Sequence, residues 1–526
     1  MRCFVFAFLL LTPLASTAQT PKVKDASDTF FTHGTIPKIK IEISKIELDK
    51  LRQKDREYVK CTVIEDNKTR YEDVGIHLKG AAGSFRPFDD RPALSLNFNK
   101  FKKQKFHDLD KIHLNNSVQD GSFLSELICG ELYLAQNVPT ARTTHCFVTL
   151  NGRDLGFYVL KEGYNKTFLK RYFDNPSGNL YDGGFLQEID ANLKLMNGEG
   201  AEDRKDLKEL VKACREPNQE LRWKRMDELL DVERFITFMA LEHMLCHWDG
   251  YCQQRNNYRV YFDPKSKKAV FIPHGMDQMF GDPNYPILHV PQALVASEVM
   301  KNPAWRVRYR ERINEMMPLF VPATKFHQRI DELVKRIQPV IAAWNKQAAI
   351  EFVNQANGLK ERIKNRAVVL EKLNAVQDPK PFLFDANGIA VVPNWEERRE
   401  TNAKLERLVP AGQPRSLSIT AAPDGRTIAS WRSRITLPAG TYRFAAMAKA
   451  ENIQSTKDSS GLGAGLRISG RERTNSLVGT CDWKLISFEF TIDQPSQEVE
   501  LVAELRGTSG TVQFKEDSLR IIKVRK

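Results

Sequence analysis

The chain has 526 residues, 41% of them hydrophobic, and a formal net charge of +13 at pH 7. That length and apolar content exclude a disordered or fibrous protein and allow two or three domains, each with a proper core. The positive balance favours anionic partners, but Lys and Arg are spread along the chain, and no motif directs the charge toward nucleic acid.

The chain starts MRCFVFAFLLLTPLASTAQT, with Arg2, an apolar run from Cys3 to Leu11, and small residues Ser16 and Ala18 spaced for cleavage after Ala18. This is the layout of a secretory signal peptide over residues 1–18, too short to span a bilayer. The expectation is a secreted, periplasmic or cell-envelope protein with no transmembrane anchor after signal cleavage. Cleavage would leave Cys61, Cys129, Cys146, Cys214, Cys246, Cys252 and Cys481. An odd, scattered set makes a poor disulfide framework and holds no zinc motif; Cys246 and Cys252 could pair, with buried free thiols the plainer reading.

Two regimes follow. The first, residues 19–376, mixes strands and amphipathic helices. YEDVGIHLKG and RPALSLNFNKF alternate as strands, and DGSFLSELICGELYLAQNVP reads as a helix with Phe123/Leu127 and Leu124/Ile128 at i, i+4. TTHCFVTLNGRDLGFYVLKEGY is a hairpin turning at Asn151-Gly152. LLDVERFITFMALEHMLCHW is a long helix with Asp231 as its N-cap. It feeds the hairpin NYRVYFD/AVFIPH, and the helices FHQRIDELVKRIQPVIAAW and FVNQANGLKERIKNRAVVLEKL close the region. The second regime, residues 381–526, has strands at short regular spacing separated by Gly, Pro, Asp and Ser, the signature of a β-sandwich. Trp431 and Trp483 there suit either a sugar-stacking or a core role.

The chemistry gathers at HWDGYCQQRNNYRVYFDPKSKKAVFIPHGMDQMFG, His247 to Gly281. Antiparallel pairing sets the start of the first strand beside the end of the second, so Asp249, Asn257 and Asp277 should converge at the open end of the hairpin. Phosphoryl transfer needs one carboxylate to orient and deprotonate the attacking hydroxyl, and a second to hold Mg²⁺ against the phosphates. Mg²⁺ takes hard oxygen ligands, and Asn257 supplies an amide oxygen. The bland alternative has Asp249 capping a turn and Asp277 as an ordinary loop acid. The scattered histidines His77, His107, His113, His243 and His247 read as core or surface residues.

The blocks VGIHLKG, LNFNKFKKQKFHDLDKIHLNNSVQDGSFLSELICGELYLAQNVPTART, VTLNGRDLGFYVLKEGYNKTFLKRYF, GNLYDGG, HWDGYCQQRNNYRVYFD and FIPHGMDQMFG together resemble the spore coat protein H (CotH) kinase family. That resemblance implies an α+β chain: an atypical protein-kinase-like domain followed by an all-β sandwich of the jelly-roll or galactose-binding-like type, itself similar to carbohydrate-binding modules. It implies Asp249 as catalytic base and Asn257 and Asp277 as metal ligands. It also implies Lys79 or Arg91 as the cation facing the nucleotide phosphates, Glu126 as the helix-borne acid pairing with that cation, and Glu162 in the segment lining the nucleotide cleft. The family commonly carries W-D-x-D before its F-G, where this chain has His274-Gly275-Met276-Asp277. The expected cofactors are ATP and Mg²⁺, the expected acceptor an exported or cell-surface protein Ser/Thr hydroxyl, with a polysaccharide contact through the C-terminal domain. The other function class open at this point is a non-catalytic extracellular or cell-wall binding protein built on a degenerate kinase fold.

Overall fold

The computed structural model describes residues 25–198, 203–375, 382–409, 415–423, 425–455, 463–492 and 497–524. The signal-peptide reading of residues 1–18 lies outside them. The chain divides into two compact units, one ending at residue 376 and one beginning at 377.

The first unit opens with helix α1 (Ala26–His33), strand β1 (Lys38–Glu42), helix α2 (Lys45–Gln53), and strands β2 (Val59–Glu65), β3 (Thr69–Lys79), β4 (Ala93–Asn97) and β5 (Lys111–Asn115). Helix α3 (Ser125–Ala135) and strands β6 (Thr143–Leu150) and β7 (Arg153–Glu162) complete a closed barrel of order β1-β2-β3-β4-β5-β7-β6. Parallel pairing of β1 with β6, Lys38 opposite Phe147 through Ile41 opposite Leu150, closes it. Alternate residues of the strands fill the interior, among them Ile41, Val63, Ile76, Leu96, Leu114, Val148 and Leu160. Asn151 and Gly152 both have positive φ, 47° and 80°, as a two-residue type I′ turn requires.

The predicted helix at Asp120 begins later, at Ser125. The Asp120 carboxylate accepts from the Ser122 amide at 3.0 Å and the Ser125 amide at 2.9 Å, holding the intervening residues in a turn. Helix α4 (Lys166–Tyr172) and the short strands β8 (Leu180–Asp182) and β9 (Lys194–Asn197) follow, then helices α5 (Lys205–Cys214), α6 (Gln219–Leu229), α7 (Val232–Met244) and α8 (Tyr251–Gln254). Asp231 caps α7, accepting from the Arg234 amide at 3.2 Å. Strands β10 (Tyr258–Asp263) and β11 (Lys268–Pro273) form the expected hairpin and join the sheet β11-β10-β8-β9. Helices α9 (Leu294–Lys301), α10 (Pro303–Phe320), α11 (Thr324–Trp344) and α12 (Lys346–Ala375) finish the unit. Helix α7 packs Phe235 against Phe271 of β11, ring centroids 4.8 Å apart.

One buried side chain of α12 sets the end of α7. Arg366 is fully buried and donates to four carbonyls: His243 at 2.7 Å, Met244 at 3.1 Å, Pro283 at 2.7 Å and Tyr285 at 2.8 Å. Two of these are C-terminal carbonyls of α7, where the helix dipole favours a cation. The others fix the chain just after the hairpin.

The second unit is a sandwich of two antiparallel sheets. Its strands are β12 (Ile389–Val391), β13 (Glu396–Arg399), β14 (Lys404–Leu408), β15 (Ser416–Thr420), β16 (Thr427–Leu437), β17 (Gly440–Gln454), β18 (Gly463–Ile468), β19 (Gly479–Ile492), β20 (Gln497–Gly507), β21 (Ser509–Lys515) and β22 (Arg520–Lys523). One sheet runs β12-β22-β17-β21-β15-β14 with β19 paired to β17, the other β13-β16-β20-β18. Trp395, Trp431, Phe444, Leu466, Leu505 and Phe514 share the core between them. Trp431 is therefore a core residue, its indole N–H given to the Ser418 carbonyl at 3.2 Å. Trp483 keeps exposed surface, with the Lys515 ammonium 4.7 Å from its ring centroid.

Replacing Arg366 by Met would strand four carbonyls in a dry interior. Urea unfolding of Arg366→Met should show a loss of at least about 3 kcal/mol.

Candidate functional site

The segment after α7 is shaped from beneath by a carboxylate. Glu242, fully buried, accepts from the Tyr251 amide at 3.0 Å and the Cys252 amide at 2.9 Å, the first two N–H groups of α8. A Cβ at Gly250 would lie 2.6 Å from Glu242 Oε1, so the close approach needs glycine. Burial pushes the Glu242 carboxyl up to about 7. Asp249 stands on the loop so fixed. Asn256 donates to both Asp249 carboxylate oxygens at 3.1 Å, and Asn257 donates to Oδ2 at 2.8 Å and to the Asp249 carbonyl at 3.0 Å. Partial burial raises the Asp249 carboxyl, and these amide donors oppose the rise.

Because both partners of Asn257 Nδ2 are pure acceptors, the amide orientation is settled and Oδ1 faces the other way. It faces Gly275: a Cβ there would lie 2.3 Å from Oδ1. Gly275 also has φ of +58°, a left-handed conformation that favours glycine. The space that a side chain at position 275 would take is filled by this amide oxygen. The ladder continues past β10 and β11, with the His274 amide donating to the Asn257 carbonyl at 2.9 Å, and this brings Asp277 round to the same cleft. Burial, and then the charge of Glu126, push the Asp277 carboxyl up to about 6.

Asp249, Asn257 and Asp277 line one cavity of about 1010 Å³, together with Lys79, Lys111, His113, Asn115, Asp182, Lys194 and Arg259. Among the described residues no three His, Cys, Asp or Glu side chains cluster as a closed metal site. The donor set of an Asp carboxylate and an outward amide oxygen instead suits Mg²⁺, which keeps waters and takes substrate phosphates to complete its shell.

Lys79 reaches the cavity from the end of β3, where its ammonium donates to Asn115 Oδ1. Burial, and then the charge of Lys161, bring it down to about 8. Glu126 does pair with a lysine, but with Lys161 of β7 rather than with Lys79 or Arg91. Both are buried. Burial alone would push Glu126 up and Lys161 down, but each charge holds the other in its ionised form. Asn115 Nδ2 at 2.6 Å and the Met276 amide at 3.4 Å complete the Glu126 shell.

Two expected cleft residues lie elsewhere. Arg91 does not line the cavity: its guanidinium packs 5.0 Å from the Tyr158 ring centroid and 5.8 Å from that of Phe123, and donates to the Phe157 carbonyl. Glu162 is bound by Arg142, whose Nε and Nη2 donate at 2.9 and 2.8 Å and whose Nη1 reaches Asp28. The cause is strand periodicity, since consecutive residues point to opposite faces. Lys161 turns toward Glu126, so Glu162 turns away.

The seven cysteines among the described residues are unpaired, and all but Cys481 are buried. No described helix is long and apolar enough to cross a membrane.

Residues 76–370 match the family described as CotH kinase protein. Two curated proteins of Rhizopus delemar are similar: Invasin CotH2 is 26% identical over 190 residues, 32% of this chain and 32% of that protein, and Invasin CotH7 is 28% identical over 120 residues, 21% and 20%. The chain thus spans about a third or less of the length of these relatives. Solved carbohydrate-binding modules are similar to part of it. TmCBM61 in complex with β-1,4-galactotriose is 16% identical, covering 28% of this chain and 99% of that one at a TM-score of 0.19. The family 22 module of Clostridium thermocellum Xyn10B is 18% identical, covering 26% and 96% at 0.18. At TM-scores this low they fix neither the fold nor a ligand of this chain.

The raised Glu242 carboxyl has a pH signature. With its folded value near 7 against 4.5 for the free group, the folded state binds more protons between those values, so this residue's contribution to stability falls as pH rises across that window. Glu242→Gln should remove this contribution, so that from pH 4.5 to 7 the variant's melting temperature falls less, or rises more, with pH than that of wild type.

Proposed function

The chain belongs to the CotH kinase protein family, and from that premise we propose that it is an exported, Mg²⁺-dependent, kinase-like phosphotransferase moving the ATP γ-phosphate to a protein Ser/Thr hydroxyl. The observation that carries this reading is the Asn257 amide, which steadies Asp249 with its nitrogen and turns its oxygen toward the Gly275–Asp277 turn.

In this reading Asp249 accepts the proton of the attacking hydroxyl. Its partial burial makes it a stronger base than a free carboxylate, and the two asparagines hold it in one orientation for that transfer. Asp277 and Asn257 Oδ1 would hold Mg²⁺, which when bound neutralises charge on the phosphates. Lys79 presents a cation to the same cavity. The Glu126–Lys161 pair acts from behind, fixing Asn115 and through it Lys79.

The test is transfer of labelled phosphate from Mg·ATP to protein acceptors by the purified chain. Wild type should transfer, and Asp249→Asn and Asp277→Asn should each lower the rate by about 100-fold or more. A folded wild type that binds no nucleotide and transfers nothing ends this reading.

A polysaccharide contact through Trp483 would give the second unit its part, the ring being the one of the two candidate tryptophans with exposed surface. Trp483→Ala should then reduce retention on insoluble polysaccharide in a sedimentation assay, and equal retention would remove this role.

A further inference from the structure

Arg259 of β10 has no role in the chemistry described so far, yet it lines the same cavity. It is only 5% exposed. Its guanidinium carbon lies 4.0 Å from the Tyr164 ring centroid, and Nη2 reaches Asp182 Oδ2 at a long 3.4 Å. Nε and Nη1 are buried without any hydrogen-bond partner. Leaving two donor atoms of a buried cation unpaired is costly, and the usual remedy is a second carboxylate close by.

The surroundings offer the opposite. Arg56, Lys79, Lys100, Lys111, Lys194 and Arg259 line the cavity against Glu57, Asp182, Asp249 and Asp277, six cations to four carboxylates. Asp249 is already engaged by Asn256 and Asn257. A single carboxylate ligand would leave positive charge over, whereas a chain of phosphates brings several negative charges and many acceptor oxygens. Guanidinium suits such a ligand, because it stays charged, stacks on Tyr164 through its face and donates in its plane.

We propose that Arg259 is a phosphate-binding residue of this cavity, donating from Nε and Nη1 to a polyphosphate ligand while Asp182 and Tyr164 hold the guanidinium in place. The proposal rests on the nucleotide reading above and extends it to a residue of this chain that the family resemblance does not supply.

The experiment is isothermal titration calorimetry on the full chain with two probes, Mg·ATP and inorganic tripolyphosphate, for wild type, Arg259→Met and Arg259→Lys. Thermal unfolding without ligand first shows which variants fold. Loss of charge-assisted donors should weaken both ligands about 10- to 100-fold in Arg259→Met, with Arg259→Lys in between. If Arg259→Met fails to fold, Arg259→Lys decides, since it keeps the charge and the stem but cannot reproduce both donors. Wild-type affinity in the folded variant overturns the proposal and leaves the nucleotide reading standing. Binding of tripolyphosphate but not Mg·ATP, lost in Arg259→Met, upholds the phosphate site and removes the nucleotide reading. A wild type that binds neither probe overturns both.

Discussion

The first unit is organised around one buried carboxylate. Glu126 gathers Lys161 from β7, Asn115 from β5 and the Met276 amide from beyond the hairpin, so a single charge ties helix, barrel and hairpin end together. Such a hub is all or nothing. Paired, the two buried ions offset each other's desolvation, but removing either leaves the other stranded, a loss on the order of 3 to 5 kcal/mol. The same charge is felt further out, since it helps keep the Asp277 carboxyl above its ordinary range. The cleft is therefore electrostatically connected: its back wall sets the readiness of its front wall to receive a cation.

How much of this was legible in the sequence follows from the range of each interaction. The hairpin ends, the Asn151-Gly152 turn and the Asp231 cap depend on neighbours a few residues away, and each could be read directly. Antiparallel pairing predicts that Asn257 and the chain after Pro273 meet, while Asp249 is brought to the same cleft by the loop that Glu242 and the two asparagines hold. Lys161 was hidden because its partner, Glu126, sits on another element, and no local pattern announces which lysine a buried acid will choose. Of the two cations the sequence offers for the phosphates, Lys79 lines the cavity while Arg91 packs on two rings and a carbonyl, and Glu162 stands one residue out of step with Lys161. Parallel closure of β1 on β6 was equally unreadable, since nothing within either strand names the other. Glu242, buried against the Tyr251 and Cys252 amides with the His247 imidazole 3.8 Å away, carries no local pattern in the sequence that marks it as a support for the Asp249 loop.

Gly275 takes on a different meaning once the backbone is known. As a letter in a motif it is a missing acid. In the structure it is the one residue type that fits a left-handed turn pressed against the Asn257 amide. The two positions are coupled: a side chain at 275 would have to displace the amide oxygen that the Asp249 contact orients. The absent carboxylate and the oriented amide are thus two descriptions of one packing solution.

Arg366 carries a consequence for how the protein comes into being. Its four carbonyl acceptors belong to the end of α7 and to the segment after the hairpin, both synthesised well before α12. During synthesis, which proceeds from the N-terminus, the loop bearing Asp249 can be fully made yet lack the cation that closes off the backbone on either side of it. The carbonyls on either side of the Asp249 loop therefore receive their donor only once the last helix of the unit is in place.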